Sequence, residues 1–527
     1  GVLTLNPQYW PSLDPSVAYR QLTWALMKDV FDGLVTVQHV GGPGGALVVP
    51  DLARAMPSIS DGGRTYTFQL RSGIRFSDGT TMHASDFRRS FIRMLRAPSG
   101  GHDYYTSVVG AQACIDHGSC AGVSRGIVVD DASGSVTIHL TQPDPELLYQ
   151  LALPFASVVG PASPSGVASK GPVMGTGPYV LDAHPPKDHV VLRRNRFFHV
   201  WSAAARPDGY PDVIDVTLVN DLTDAVLTQT TKGRYDDAGE VDSSSAIQRL
   251  QRSVATQLQP APQLLTRYYF LSTQHGVFRS VLARRAVNYA LDRRQAVASY
   301  GGAFFETPTC QVLPPSLYGY QPYCPYTARP DRSGIWKGPD LAKARQLVAQ
   351  SGTKGATVSV AIRPDTPQVE NALLAALRQL GYHVRLITFR AKDPNTAFTN
   401  YFNYVATASN RADAGVDGWI SDYPAPSNFL QQLLTCSSIN HTPAKNLNDS
   451  LFCNRGVDVE VERALGLQTT DPAAAGQQWA AIDRAITDQA PWAPFGNGRQ
   501  WDVVSPRVGN FQSNPMLGTI LDQMWVR

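Results

Sequence analysis

Along this chain, apolar positions recur at a spacing of two in some stretches and near 3.6 in others, and the change of period marks where strands give way to helices. Tyr66, Phe68 and Leu70 alternate with Thr65, Thr67 and Gln69, which predicts a strand with one buried face. Arg71-Ser72-Gly73 supplies a turn, Ile74 and Phe76 resume the alternation, and Ser77-Asp78-Gly79 turns the chain again. Ser85-Asp86 then reads as a helix start, followed by Phe87, Phe91, Met94 and Leu95 at helical spacing with an acidic side chain near the positive helix end. Ile127 and Val129, the polar run from Asp130 to Ser135, and Val136, Ile138 and Leu140 predict a further hairpin. Together these ribbons make a small α+β domain.

Elsewhere the pattern is that of mixed α/β lobes. A strand is expected from Val2 to Leu5, then a loop ending in Ser12-Leu13-Asp14-Pro15, then a helix through Leu22, Leu26 and Val30 that stops at Gly33. Tyr268-Tyr269-Phe270-Leu271 reads as a strand, and one helix is expected from Ala283 to Tyr300. Further on, Ala356, Val358, Val360 and Ile362 alternate, Val369, Leu373, Leu374, Leu377 and Leu380 repeat as a helix, and Gly381 ends it before Val384, Leu386 and Thr388. That is a βαβ unit, which requires a parallel sheet and favours a right-handed crossover. The chain shows no internal repeat and no long low-complexity tract.

With 527 residues, the chain is too long for one core, and size alone predicts roughly three domains of about 100 to 200 residues. The net charge of +3 is dispersed, without the basic stripe that nucleic acid would need. No stretch approaches the ~18 consecutive apolar residues of a membrane span, and the chain opens at Gly1 without a signal-peptide pattern, as expected of a mature or trimmed product. The six cysteines fall as near neighbours, Cys114 with Cys120, Cys310 with Cys324 and Cys436 with Cys453. Short loops close at little entropic cost, which favours this local set and an oxidising compartment; the alternative is a set of unrelated thiols in a cytosolic enzyme. No Cys-x-x-Cys pair points to zinc.

Catalytic signatures are missing. The Gly41 to Gly45 run lacks the lysine and hydroxyl residue of a phosphate-binding loop, and Gly175 and Gly177 do not meet the dinucleotide fingerprint. There is no Gly-x-Ser-x-Gly elbow and no His-Glu-x-x-His; carboxylates such as Asp144 and Glu146 are scattered, which leaves only a glycosidase with distant carboxylates open. His184 and His189 around a Pro-Pro loop, and Cys114, Asp116, His117 and Cys120, look more like a hairpin tip and a disulfide loop than metal sites.

The wording of Arg64 to Ser90, RTYTFQLRSGIRFSDGTTMHASDFRRS, resembles the signature of the family 5 solute-binding proteins of ABC importers, the oligopeptide- and dipeptide-binding type. The Leu13-Asp14-Pro15 loop, Phe31-Asp32-Gly33-Leu34, Pro172 to Leu181, Arg193-Arg194-Asn195 and RRAVNYALDR within the predicted Ala283–Tyr300 helix extend the resemblance, which reaches the segment near Pro494. It implies a two-lobed α/β fold of the periplasmic-binding-protein type, with mixed sheets, hinge strands and an additional small α+β domain. Lobe I would take residues 1–40, 173–271 and 488–527, the additional domain 41–172, and lobe II 272–487. The implied protein is a monomer without enzymatic activity or cofactor. It captures peptides by lobe closure outside the cytoplasm, at the cell surface or in the periplasm, and delivers them to ABC importer permease subunits, tethered to the membrane by a removed lipidated N-terminus. The alternative within the same family is a non-peptide ligand: nickel or another metal complex, haem, a siderophore or an oligosaccharide.

The resemblance also places a site, in GVDGWISDYPAPSNFL, Gly415 to Leu430. Asp422 would hold a ligand's α-ammonium group, with Trp419 and Tyr423 in the wall. Some peptide binders also place an arginine shortly before the tryptophan, where this chain has Val416, so the carboxylate anchor stays open; nearby Arg411 could substitute, though an exposed, solvated arginine is the plainer reading, and Phe495 falls near a family position that touches ligand. Read without the resemblance, Asp422 before Tyr-Pro makes a local turn and Ser427 caps a helix through Phe429, Leu430 and Leu433.

Overall fold

The computed structural model describes residues 2–5, 12–18, 21–164, 166–167, 173–217, 224–241, 243–366 and 368–527, so Pro172 of the Pro172 to Leu181 motif lies outside the described residues. The chain forms two compact units, one of Gly1–Asp242, Ala246–Ala261 and Trp501–Arg527, the other of Ser243–Ser245 and Pro262–Gln500.

In the first unit, strands Asp237–Glu240, Val2–Leu5, Val213–Thr217, His189–Arg194 and Tyr179–Leu181 lie side by side in that order. Val2–Leu5 runs parallel to both its neighbours, and the pairings beyond Val213–Thr217 are antiparallel. Leu26, Met27 and Val30 of helix Gln21–Val30 pack with Tyr179, Leu192, Ile214 and Val216. A separate core belongs to the α+β part: Tyr66, Phe68, Val136 and Ile138 meet Phe87, Phe91 and Met94. Its four-stranded antiparallel sheet runs Ser58–Ser60, Thr65–Gln69, Ser135–His139, Ile127–Asp130, and includes the Ile127 to Leu140 hairpin.

One local expectation changes in this part. Ile74 and Phe76 are buried, but they form no strand; the chain there makes only an Arg75–Thr81 bridge. The positive φ of Gly73 and Gly79 turns it on both sides, and the Phe76 N–H is spent on the Thr80 carbonyl, leaving too short a run for a ladder. The helix after it spans Ala84–Arg96, and the Asp86 carboxylate accepts the N–H of His83 at 2.9 Å, closing its first turn.

The second unit is built on a sheet ordered His383–Thr388, Thr357–Ile362, Ala414–Ile420, Leu258–Leu271, Trp492–Val504, with Glu306–Pro308 on the last strand. The first three are parallel, and helix Asn371–Gln379 connects the βαβ strands as the periodicity predicts. Leu258–Leu271 is antiparallel to Ala414–Ile420, with Thr266 opposite Trp419 and Tyr268 opposite Asp417. Tyr269, Leu271, Val360, Leu373, Leu377, Phe429, Trp479 and Trp492 share one core.

The expected Ala283–Tyr300 helix is two helices, Val281–Ala290 and Arg293–Ala298. Asp292 causes the break, because its carboxylate accepts the N–H groups of Arg294 and Gln295 at 3.0 and 3.4 Å and so starts a new helix. The arginines of this motif are structural: buried Arg293 donates Nε to the carbonyls of Thr309 and Pro494, and Arg284 donates to that of Gln489. Disulfides join Cys114 to Cys120, Cys310 to Cys324 and Cys436 to Cys453.

Candidate functional site

Because Thr357–Ile362 and Ala414–Ile420 are parallel, with Val360 level with Ala414, their C-terminal ends leave the same edge of the sheet. Ligands of parallel α/β sheets bind beyond that edge. One strand continues there into Arg363, the other into Ser421-Asp422-Tyr423.

Asn428, in helix Ser427–Leu434, holds the second of these exits in place. Its Oδ1 accepts both the Trp419 indole Nε1–H and the Asp422 backbone N–H, each at 3.0 Å. Its Nδ2 donates to Asp422 Oδ2 at 3.3 Å and to Gln432 Oε1 at 2.8 Å. A single fully buried amide therefore fixes the ring of Trp419 and the carboxylate of Asp422 together, both half-buried. Ser427 does not cap the helix as expected: it is already the first helical residue, behind Pro426, and its buried hydroxyl has no hydrogen-bond partner among the described residues. Buried Tyr423 lines a cleft of about 320 Å³ with Ser427, Gln431, Gln432, Ser437 and Ser438, next to the Cys436–Cys453 disulfide.

Two of the expected residues do not join this group. Arg411 is exposed and lies before the N-terminal end of Ala414–Ile420, so the strand separates it from Asp422 by about 20 Å. Phe495 is fully buried in the core, its ring 4.7 Å from Tyr269 and 6.0 Å from Tyr300. The Cys114 and Cys120 sulfurs are spent on each other, which removes them as metal ligands.

The structure adds a cationic group that the sequence reading missed. Arg363, level with Asp417, makes a two-pronged bond to Asp365, Nε to Oδ1 at 2.7 Å and Nη2 to Oδ2 at 3.0 Å. Arg267 pairs through Nε with Glu306 Oε1 at 2.6 Å and stacks over the Tyr300 ring at 3.9 Å. Burial raises the Tyr300 phenol above its usual range while the charges of Arg363 and Arg267 pull it back; the Arg363 guanidinium lies over the Phe398 ring at 5.0 Å. The Tyr300 hydroxyl and Glu306 Oε2 are buried without hydrogen-bond partners among the described residues. Asp417 and Asp449 hydrogen-bond to each other, and burial pushes both carboxyls up. An arginine directly after a predicted parallel strand was the available signal for Arg363; Arg267, inside a buried strand, had none.

The model of the bacterial extracellular solute-binding proteins, family 5 (middle) matches residues 48–441, and the chain belongs to that family. It is 23% identical over 494 residues to the glutathione-binding protein GsiB of Escherichia coli (strain K12), covering 92% of this chain and 86% of that one. It is 25% identical over 524 residues to heme-binding protein A of Haemophilus influenzae, covering 93% and 86%. Among solved structures it superposes on clavulanic acid biosynthesis oligopeptide binding protein 2 with a TM-score of 0.83 at 23% identity, covering 100% of this chain and 95% of that chain. The unliganded, open murein tripeptide binding protein MppA gives 0.80 at 23%, covering 100% and 97%. The fold is thus that of the periplasmic binding proteins. Among the described residues no helix is long and apolar enough to cross a membrane.

Proposed function

We propose that this protein captures peptides through their charged ends and hands them unchanged to the permease subunits of an ABC importer. Asp422 takes the α-ammonium group, Trp419 and Tyr423 form the wall beside it, and Arg363, with Arg267 and the Tyr300 hydroxyl, takes the carboxylate that Val416 leaves without a partner. The observation that carries this reading is the pair of chain exits at one sheet edge, one presenting a carboxylate set by Asn428 and the other a guanidinium. Charge-assisted bonds in a partly dehydrated site are strong enough to make the termini the main source of affinity, which leaves side-chain selectivity modest. The similar oligopeptide and murein tripeptide binding proteins support a peptide ligand, and the glutathione-binding relative fits the same anchors, since glutathione carries an α-ammonium and carboxylates.

The three disulfides support an extracytoplasmic, oxidising location. We assign the protein there as a monomer held at the membrane by a lipidated N-terminus. Calorimetry tests the site: Asp422→Asn is expected to weaken binding of free-amine peptides by about 2 to 5 kcal/mol. Equal affinity removes Asp422 from it. Native mass spectrometry of protein from its own host tests the ligand class. A series of peptide masses supports the reading, and one discrete haem or metal complex replaces it.

A further inference from the structure

The first unit carries a buried charge cluster for which peptide capture has no use. Arg206 lies among Asp29, Asp32, Asp51 and Asp522, with Lys28 and His39 beside them, and each of these residues is at most 6% exposed. The guanidinium pairs with Asp32 and stands 3.9 Å from Asp51, whose other oxygen accepts the Trp201 indole N–H at 3.0 Å. His39 Nε2 and Asp522 Oδ1 are 2.6 Å apart. Asp29 Oδ2 and Asp522 Oδ2, both fully buried, have no hydrogen-bond partner among the described residues. Ligand atoms of Asp29, His39 and Asp522 lie within 4.8 Å of one another.

The charges do not balance. Two cations, the lysine and the arginine, face four carboxylates in a site without water access, and each uncompensated buried ion costs several kcal/mol. Two protons or one divalent cation would close the gap. A cation needs unbonded oxygens such as these two.

We propose that Asp29, His39 and Asp522 bind a divalent transition-metal ion of the zinc type inside the first unit, through Asp29 Oδ2, Asp522 Oδ2 and His39 Nε2. Bonds of about 2.0 to 2.2 Å in a tetrahedral site put ligand atoms about 3.4 Å apart. Binding at that spacing requires the side chains to draw together and His39 to release Asp522 Oδ1. An imidazole beside two carboxylates favours zinc over magnesium or calcium. Asp29 belongs to helix Gln21–Val30, His39 follows strand Val35–Val37, and Asp522 stands 483 residues beyond His39, so the ion fastens the two ends of the chain within one unit. It is a structural ion, independent of the ligand anchors, which belong to the second unit.

The test uses the full chain purified without a metal-affinity tag. Elemental analysis is expected to find stoichiometric zinc, a strong chelator to remove it with a fall in Tm, and added zinc to restore both. Asp29→Asn, nearly isosteric, is expected to lose the zinc while keeping its circular dichroism spectrum. Zinc neither retained nor bound on titration, with Tm indifferent to chelator, overturns the proposal in favour of the two-proton arrangement, and the wild-type protein decides this even where the variant does not fold. Zinc bound equally by wild type and Asp29→Asn overturns it too, since other side chains then hold the ion.

Discussion

At the scale of single residues, Asn428 and Asp422 should fail in different ways when replaced. Removing the Asn428 amide leaves the Trp419 indole N–H and the Asp422 N–H without their acceptor in a largely buried setting. Asn428→Ala is therefore expected to cost about 1 to 3 kcal/mol of stability and to weaken ligand binding as well. Asp422→Asn should weaken binding with little change in Tm; equal stability loss in both would mean that Asp422 belongs to the turn alone. Arg363 is separable by ligand chemistry. Wild type should bind a free-acid peptide better than its C-terminal amide, and Arg363→Gln should lose that preference; an undiminished preference in calorimetry removes Arg363 from the proposed anchor. The family pattern in the order of residues singled out Trp419 and Asp422, and the Asn428 amide hydrogen-bonds to both. Asn428 sits in the same segment, but its role depends on a helix turning back over the strand end, which no spacing in the sequence reports. Arg411 is exposed, in line with its plainer reading, since closeness in sequence says nothing about which end of a strand a residue occupies.

At the scale of elements, periodicity predicted the βαβ unit and the Ile127 to Leu140 hairpin, where one repeat runs uninterrupted between turn residues. It erred where a local hydrogen bond competed with the pattern. Asp292 sits inside an unbroken helical repeat, yet its carboxylate captures two backbone N–H groups and restarts the helix. Asp292→Ala is expected to destabilise the second unit by about 0.5 to 2 kcal/mol in chemical denaturation, the cost of a lost N-cap. No change would mean that packing alone sets the break. The Cys436–Cys453 disulfide closes a loop of sequence separation 17 beside the Tyr423 cleft. Replacing both cysteines by alanine should cost about 3 kcal/mol by the chain-entropy relation for a loop of that size.

At the scale of the molecule, the resemblance gave the family, but the division of the chain follows the strands. Leu258–Leu271 and Trp492–Val504 begin in one unit and end in the other, and most of each pairs within the second unit's sheet, because their apolar residues complete its core. That core also buries carboxyls whose ionisation links stability to pH. Burial pushes Asp483 up to about 6, against hydrogen bonds from Gln311, Val312 and Leu313, and pushes Glu370 up to about 7. In the unfolded chain both groups release their protons near pH 4 (about 3.9 for Asp and 4.3 for Glu). Between that pH and about 6 to 7 the native state therefore holds protons that the unfolded state has lost, so the free energy of unfolding falls as pH rises through the window and levels off above it. For Asp483 alone the span is about 3 kcal/mol, from a shift of roughly two units at 1.36 kcal/mol each. The thermal transition of the second unit should accordingly lie higher at pH 5 than at pH 7.5. Asp483→Asn, which keeps an acceptor for the Val312 and Leu313 N–H groups, should narrow that difference; the same pH profile in variant and wild type would show that Asp483 stays ionised in the fold throughout.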